Sequence, residues 1–152
     1  MGLDYGIANK TGKPIPNEAI EIMEYAVKNG ISYFDTAYSY GNSETIIGKF
    51  LNLHEKYKDK INIITKMPPL KNKKLDKKNI NNYFFESLHR LGQGSIYCYM
   101  IHDFKDIENN CDEIEKNFLK LKKNGYIKKI GVSVYNQFQL EFLFKYFDFD
   151  LI

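Results

Sequence analysis

Four side chains of complementary chemistry stand at comparable places in this sequence: a carboxylate at Asp35, a phenol at Tyr38 or Tyr40, an ammonium at Lys66 and an imidazole at His102. Asp35 ends the apolar run that begins at Ile31, Lys66 ends the one from Ile61, and His102 follows the one from Ser95 to Ile101. Each marks the point where a short apolar segment gives way to a polar turn, as at the C-terminal end of a buried strand. Where strands run parallel, such ends share one rim, so residues distant in sequence meet around one pocket.

A free phenol has a pKa of about 10 and is a reluctant acid at neutral pH. An ammonium beside it favours the phenolate, and a carboxylate holds that ammonium in place and charged. An imidazole can hydrogen-bond a carbonyl oxygen and turn it towards the phenol. Such a group stabilises charge developing on a carbonyl oxygen as hydride arrives at its carbon. Spacing alone does not choose between Tyr38 and Tyr40. Taken singly, Asp35 reads as a turn cap, Lys66 as an exposed strand end and His102 as a rim histidine; their joint placement is what points to chemistry.

The elements that must position these groups alternate strictly. Asn17 caps a first helix with Ile20, Met23, Ala26 and Val27 at helical spacing, closed by Gly30. Ile31–Asp35 is the first strand. Ser43 caps a second helix through Ile46, Ile47, Phe50 and Leu51. Ile61–Lys66 is the second strand, stopped by Met67-Pro68-Pro69. A third helix runs from about Lys77 to Leu91, with Ile80, Phe84, Leu88 and Leu91 on one face. Ser95–Ile101 is the third strand. A fourth helix carries Ile114, Phe118 and Leu121 and ends at Asn124-Gly125. Tyr126–Val134 is the fourth strand, with Ser133 at its close. Asn136 caps a fifth helix, and Phe149–Ile152 begins a fifth strand.

Alternation of this kind predicts right-handed βαβ units and a parallel sheet. A doubly wound dinucleotide-binding version lacks its mark, because no G-x-G-x-x-G loop is present. A (β/α)8 barrel takes about 250 residues, so the chain of 152 residues is expected to supply part of one. Three glycines punctuate Met1–Lys13, which reads as a loop with no strand before it.

Composition excludes several classes. The net charge of +3 comes from 22 basic and 19 acidic residues, too mild a balance for nucleic acid. The basic run Lys71–Lys78 has no interleaved aromatics and reads as a solvated loop. Two cysteines are too few for a disulfide framework, no signal peptide is visible, and no apolar run reaches membrane-spanning length. A cytoplasmic location is the expectation. Cys98 lies within a strand and reads as a small buried apolar residue. Cys111 reads as the start of a helix, a place that lowers a thiol's pKa. His54 and His89 sit on amphipathic helices with no partner spacing, so no metal site is expected.

The segment Phe34-Asp35-Thr36-Ala37-x-x-Tyr40-Gly41-x-Ser43-Glu44 resembles the signature of the aldo-keto reductase family. Ile64-Thr65-Lys66 is similar to the family's next-strand lysine segment, and Ile101-His102 to its histidine. Leu121-x-x-x-Gly125-x-Ile127-x-x-Ile130-Gly131-Val132-Ser133 resembles a further segment, and the matches fall in family order. The resemblance implies a (β/α)8 barrel, NADPH as cofactor and reversible reduction of an aldehyde or ketone, a small-molecule carbonyl substrate.

By motif position it makes Tyr40 the general acid, since the family's tyrosine precedes the glycine. Asp35 and Lys66 become its tuning pair and His102 the substrate-orienting residue. Ser133 matches the serine that contacts the nicotinamide carboxamide, and the resemblance implies that Asp35 lies near the nicotinamide ribose. The usual neighbour of that serine, Asn, is Val134 here. Gly2 and Tyr5-Gly6 resemble the loop after the family's first strand, so that strand, the C-terminal strands and the segment that grips the adenosine 2′-phosphate are expected to be missing. One incomplete domain over residues 1–152 is the expectation, and its unpaired strand edges invite self-association. The alternative from another class is a non-catalytic half-barrel, or a regulatory or binding subunit derived from such an enzyme.

Overall fold

The computed structural model describes residues 12–70 and 77–152. The motif match at Gly2 and Tyr5-Gly6 and most of the basic run from Lys71 lie outside them. Helix α1 spans Pro16–Lys28, strand β1 Tyr33–Asp35, helix α2 Ser43–Leu53, strand β2 Asn62–Met67 and helix α3 Lys77–Leu91. Strand β3 spans Ile96–Ile101, helix α4 Phe104–Lys123, strand β4 Ile127–Val132 and helix α5 Gln137–Tyr146. A 3₁₀ segment, Glu55–Lys60, joins α2 to β2.

The four strands form one parallel sheet in the order β1-β2-β3-β4. Consecutive strands are always neighbours. A doubly wound sheet would reverse its order at a switch point, and this one does not; it is the wall of a partial (β/α)8 barrel. The helices pack in the same succession, α1 on α2, α2 on α3 and α3 on α4, as crossovers of one hand require.

Strand alternation divides each strand end between two faces. In β1 Phe34 is buried while Tyr33 and Asp35 are exposed. Phe34 meets Phe50 of α2, and Tyr99 of β3 lies between Phe84 of α3 and Phe118 of α4, ring centroids 5.0 Å from each. This aromatic layer joins the helices to the sheet, and burying such rings is the largest apolar contribution a single residue makes. Gly48 of α2 sits against the end of α3. A Cβ there would run into the carbonyl oxygen of Arg90 and lie 2.8 Å from the carbonyl carbon of Leu91. Only glycine lets these two helices approach so closely.

Several boundaries differ from the sequence reading. Helix α1 begins one residue before Asn17, because Glu18 Oε2 reaches back to the Ile15 backbone N–H at 3.1 Å and does the capping. Ser43 is the first residue of α2 and not its cap; its hydroxyl is engaged elsewhere, as described below. Helix α4 begins at Phe104, seven residues before Cys111, the start expected from the sequence. Asp103 caps it by accepting from the Lys105 N–H at 3.0 Å, and a break at Asn110 (φ −148°, ψ 34°) divides it. Asn109 and Asn110 bond back to the carbonyls of Lys105 and Asp106, the competition with helical bonding that makes Asn a poor interior residue. Cys111 is therefore within a helix, just past the break, and burial raises its thiol pKa instead of lowering it.

Asn136 caps α5 as expected, accepting from the Gln139 N–H at 3.0 Å. Beyond α5, Leu151 pairs with Gly131 in a parallel bridge alongside β4. Asp150 fastens that segment: its carboxylate accepts from Lys122 at 2.8 Å, Lys129 at 3.0 Å and the Ile130 backbone N–H at 2.8 Å. Those partners hold its pKa down, to about 2, against the opposing effect of burial.

Candidate active site

Asp35 closes β1, Lys66 is the penultimate residue of β2 and His102 follows β3, and the structure brings them together with Tyr40. Lys66 is the centre. Its side chain is 7% exposed, and Nζ donates to Asp35 Oδ1 at 2.6 Å and to the Thr36 carbonyl oxygen at 2.9 Å. The same ammonium stands 5.3 Å from the centroid of the Tyr40 ring. Tyr40 in turn meets His102 edge to face, centroids 5.6 Å apart. A buried ammonium is costly unless it is bonded, and these contacts supply what it needs.

His102 is partly buried, and its Nδ1 has no hydrogen-bond partner among the described residues. Burial lowers its pKa first, and the Lys66 ammonium lowers it further. The imidazole is thus neutral at neutral pH, a state in which it can donate one hydrogen bond and accept another.

Asp35 and Lys66 also border a groove of about 350 Å³. Ile64 and Met100 line it with apolar surface, and Ser133, Tyr135 and Leu151 line its far side. Ser133 is held by its backbone N–H donating to the Ile101 carbonyl at 2.9 Å. Gly131 makes room under the groove: a Cβ there would lie 2.6 Å from Met100 Cγ. Cys98, below the same wall, is fully buried, and burial foremost, with Asp150 next, pushes its thiol up to about 12.

The two tyrosines, not distinguished by spacing, have different neighbours. Tyr38 turns to the helices. Its hydroxyl donates to Glu86 Oε2 at 2.7 Å, and the Arg90 guanidinium lies 4.1 Å from its ring centroid. Tyr40 is the tyrosine beside Lys66 and His102.

Sequence reasoning missed a second set of polar residues behind this group. Thr36 and Ser43 hydroxyls share a hydrogen bond of 2.6 Å. Thr65, fully buried, donates to Glu44 Oε1 at 2.6 Å, and Arg90 reaches Glu44 Oε2 at 3.4 Å. The usable signal was parity: Thr36 follows Asp35 and Thr65 precedes Lys66, so each must face away from its neighbour.

A one-directional parallel sheet of alternating strands and helices is the wall of a partial barrel, and comparison with known proteins gives the family. A profile of the Aldo/keto reductase family matches residues 4–150, and the chain belongs to that family. It is 31% identical over 126 residues to the oxidoreductase YqkF of Bacillus subtilis, a match covering 77% of this chain and 40% of that protein. It resembles the holo form of the aldo-keto reductase AKR11C1 of Bacillus halodurans, with a TM-score of 0.72 and 27% identity over 88% of this chain and 47% of the other. An aldo/keto reductase of Klebsiella pneumoniae, solved in complex with NADP and acetate, has a TM-score of 0.71 at 19% identity over 86% of this chain and 44% of that one; that likeness concerns the fold alone. The chain spans about 40% of the length of the curated relatives it matches. Among the described residues no helix is long and apolar enough to cross a membrane.

Proposed function

We propose that this chain carries the proton-transfer half of an NADPH-dependent reductase that converts an aldehyde or ketone to an alcohol. The observation that carries the reading is the anchoring of a nearly buried Lys66 ammonium between Asp35 and the Thr36 carbonyl, directly over the Tyr40 ring. A cation so placed stabilises the phenolate left when Tyr40 gives up its proton.

The groove supports nicotinamide as the group beside the site. It has an apolar lining at Ile64 and Met100 and polar groups at Asp35 and Ser133, as a flat ring carrying a carboxamide requires. Asp35 and Ser133 are the residues that would hold it. NADPH, when bound, supplies the hydride that forms the new C–H bond. Tyr40 gives its hydroxyl proton to the carbonyl oxygen, so the C=O bond becomes C–OH, and regains a proton from solvent. Lys66 steadies the phenolate meanwhile, and Asp35 keeps Lys66 in place and charged. His102, neutral, hydrogen-bonds the carbonyl oxygen and turns it towards Tyr40. General acid catalysis of this kind contributes about 10²–10⁴-fold.

We take residues 1–152 as one domain of a cytoplasmic protein, acting on small carbonyl compounds. The rival reading is a non-catalytic piece of a barrel, or a regulatory or binding subunit; it draws on the chain's span of about 40% of its curated relatives and on the exposure of Ile31 and Tyr33, at 51% and 53%. The test is consumption of NADPH with a panel of aldehydes by this chain. Turnover supports the reductase; no turnover together with no NADPH binding overturns it and leaves the non-catalytic piece.

A further inference from the structure

We propose that Glu44 is a positioning residue for Tyr40, acting through Thr65 and Arg90; the inference rests on the reductase reading above. Glu44 is 1% exposed and lies in the first turn of α2, four residues after Tyr40. Its two oxygens are divided between neighbours. Oε1 takes the Thr65 hydroxyl at 2.6 Å, one residue before Lys66 on β2, and Oε2 faces Arg90 of α3 at 3.4 Å. One buried carboxylate thus ties the end of the Tyr40 loop to the strand that carries Lys66.

The same guanidinium extends the tie. Arg90 also holds Glu86 at 2.5 Å, and Glu86 takes the Tyr38 hydroxyl at 2.7 Å, at the loop's near end. The Tyr38 N–H donates to the Lys66 carbonyl at 3.1 Å, and Thr36 and Ser43 close the loop on itself at 2.6 Å. Tyr40 is therefore suspended between two points fixed to one Arg90–Glu44–Thr65 frame. Burying a carboxylate is unfavourable unless it is bonded, and well-packed apolar residues commonly serve stability as well. A polar frame here fixes geometry: the reach of Tyr40 to Lys66 and to His102.

The test uses the whole chain. Thr65→Val removes the donor while keeping the shape, Glu44→Ala removes the acceptor, and Glu44→Gln keeps an oxygen for Thr65. The expected result is a fall in kcat of about ten- to a hundredfold for Thr65→Val and Glu44→Ala, with KM for NADPH little changed and much of the loss recovered in Glu44→Gln. Arg90→Gln, at the solvent edge of the frame, gives a smaller fall of the same kind and serves where Glu44→Ala does not fold. Hydrogen exchange at the Tyr38 and Tyr40 amides, read without substrate, is expected to quicken in each variant. Exchange at those amides unchanged in the folded variants, or kcat per folded molecule unchanged, overturns the proposal. Absence of both turnover and NADPH binding in the unaltered chain overturns the reductase reading alone, because the exchange measurement still decides whether Glu44 holds the loop.

Discussion

Asp35 and Thr36 are adjacent, as are Thr65 and Lys66, yet the two members of each pair serve opposite sides of the barrel wall. On the inner rim Lys66 meets an Asp35 whose side chain is 58% exposed. On the outer side Thr65 meets a Glu44 that is 1% exposed. The two tyrosines divide the same way, Tyr40 to the rim and Tyr38 to Glu86 and Arg90. In the inner pair Lys66 is buried while Asp35 faces water, so the pair contributes little to stability; what it does is place charge beside a phenol. The outer set is shielded, so each missing partner leaves a buried polar group unmet. Alternation along a strand thus separates chemistry from scaffolding within single dipeptides.

That separation yields predictions of graded size. The largest concerns the rim. Lys66→Met is expected to lower kcat by at least about a hundredfold while thermal stability changes little, since Asp35 is left facing water; steady-state kinetics alongside a melting curve checks both halves. Next comes the scaffold. Gly48→Ala forces α2 away from the Arg90 and Leu91 carbonyls, and a denaturant titration is expected to show a loss of about 1–3 kcal/mol, the range for overpacking. Activity per folded molecule should fall with it, because Arg90 moves. A loss under about 0.5 kcal/mol, the spread of surface substitutions, would show that the helices can part freely.

A smaller effect belongs to the far edge of the sheet. The Asp150 carboxyl, with its pKa depressed to about 2, adds stability that is complete above its ordinary range and fades as pH falls towards that value. Asp150→Asn is expected to cost about 1 kcal/mol at neutral pH, because both lysine partners are partly in water, and to flatten the acid limb of a stability–pH curve. An unchanged acid limb would remove Asp150 from the account.

Much of this was legible in the sequence, and the reasons are local. The apolar runs ending at Asp35, Lys66 and His102 gave three strand ends in order, and the motif around Tyr40-Gly41 selected the tyrosine. The first half of α4, before Cys111, was not legible, because Asn109 and Asn110 are poor helix-interior residues and here bond back along a kinked helix. The scaffold behind the site was hidden for a different reason. Glu44 in a first helical turn reads as a charge suited to the helix dipole, and only tertiary packing buries it against Thr65. The helix-facing role of Tyr38 likewise depends on Glu86 and Arg90, residues of α3 forty-eight and more positions on.

The most direct measurement compares Tyr40→Phe with Tyr38→Phe in single-turnover reduction of one aldehyde by NADPH. The account predicts a fall of about 10²–10⁴-fold for Tyr40→Phe and a change of only a few-fold for Tyr38→Phe, whose hydroxyl holds the loop and gives up no proton. Turnover retained in Tyr40→Phe, or lost equally in both variants, would contradict it.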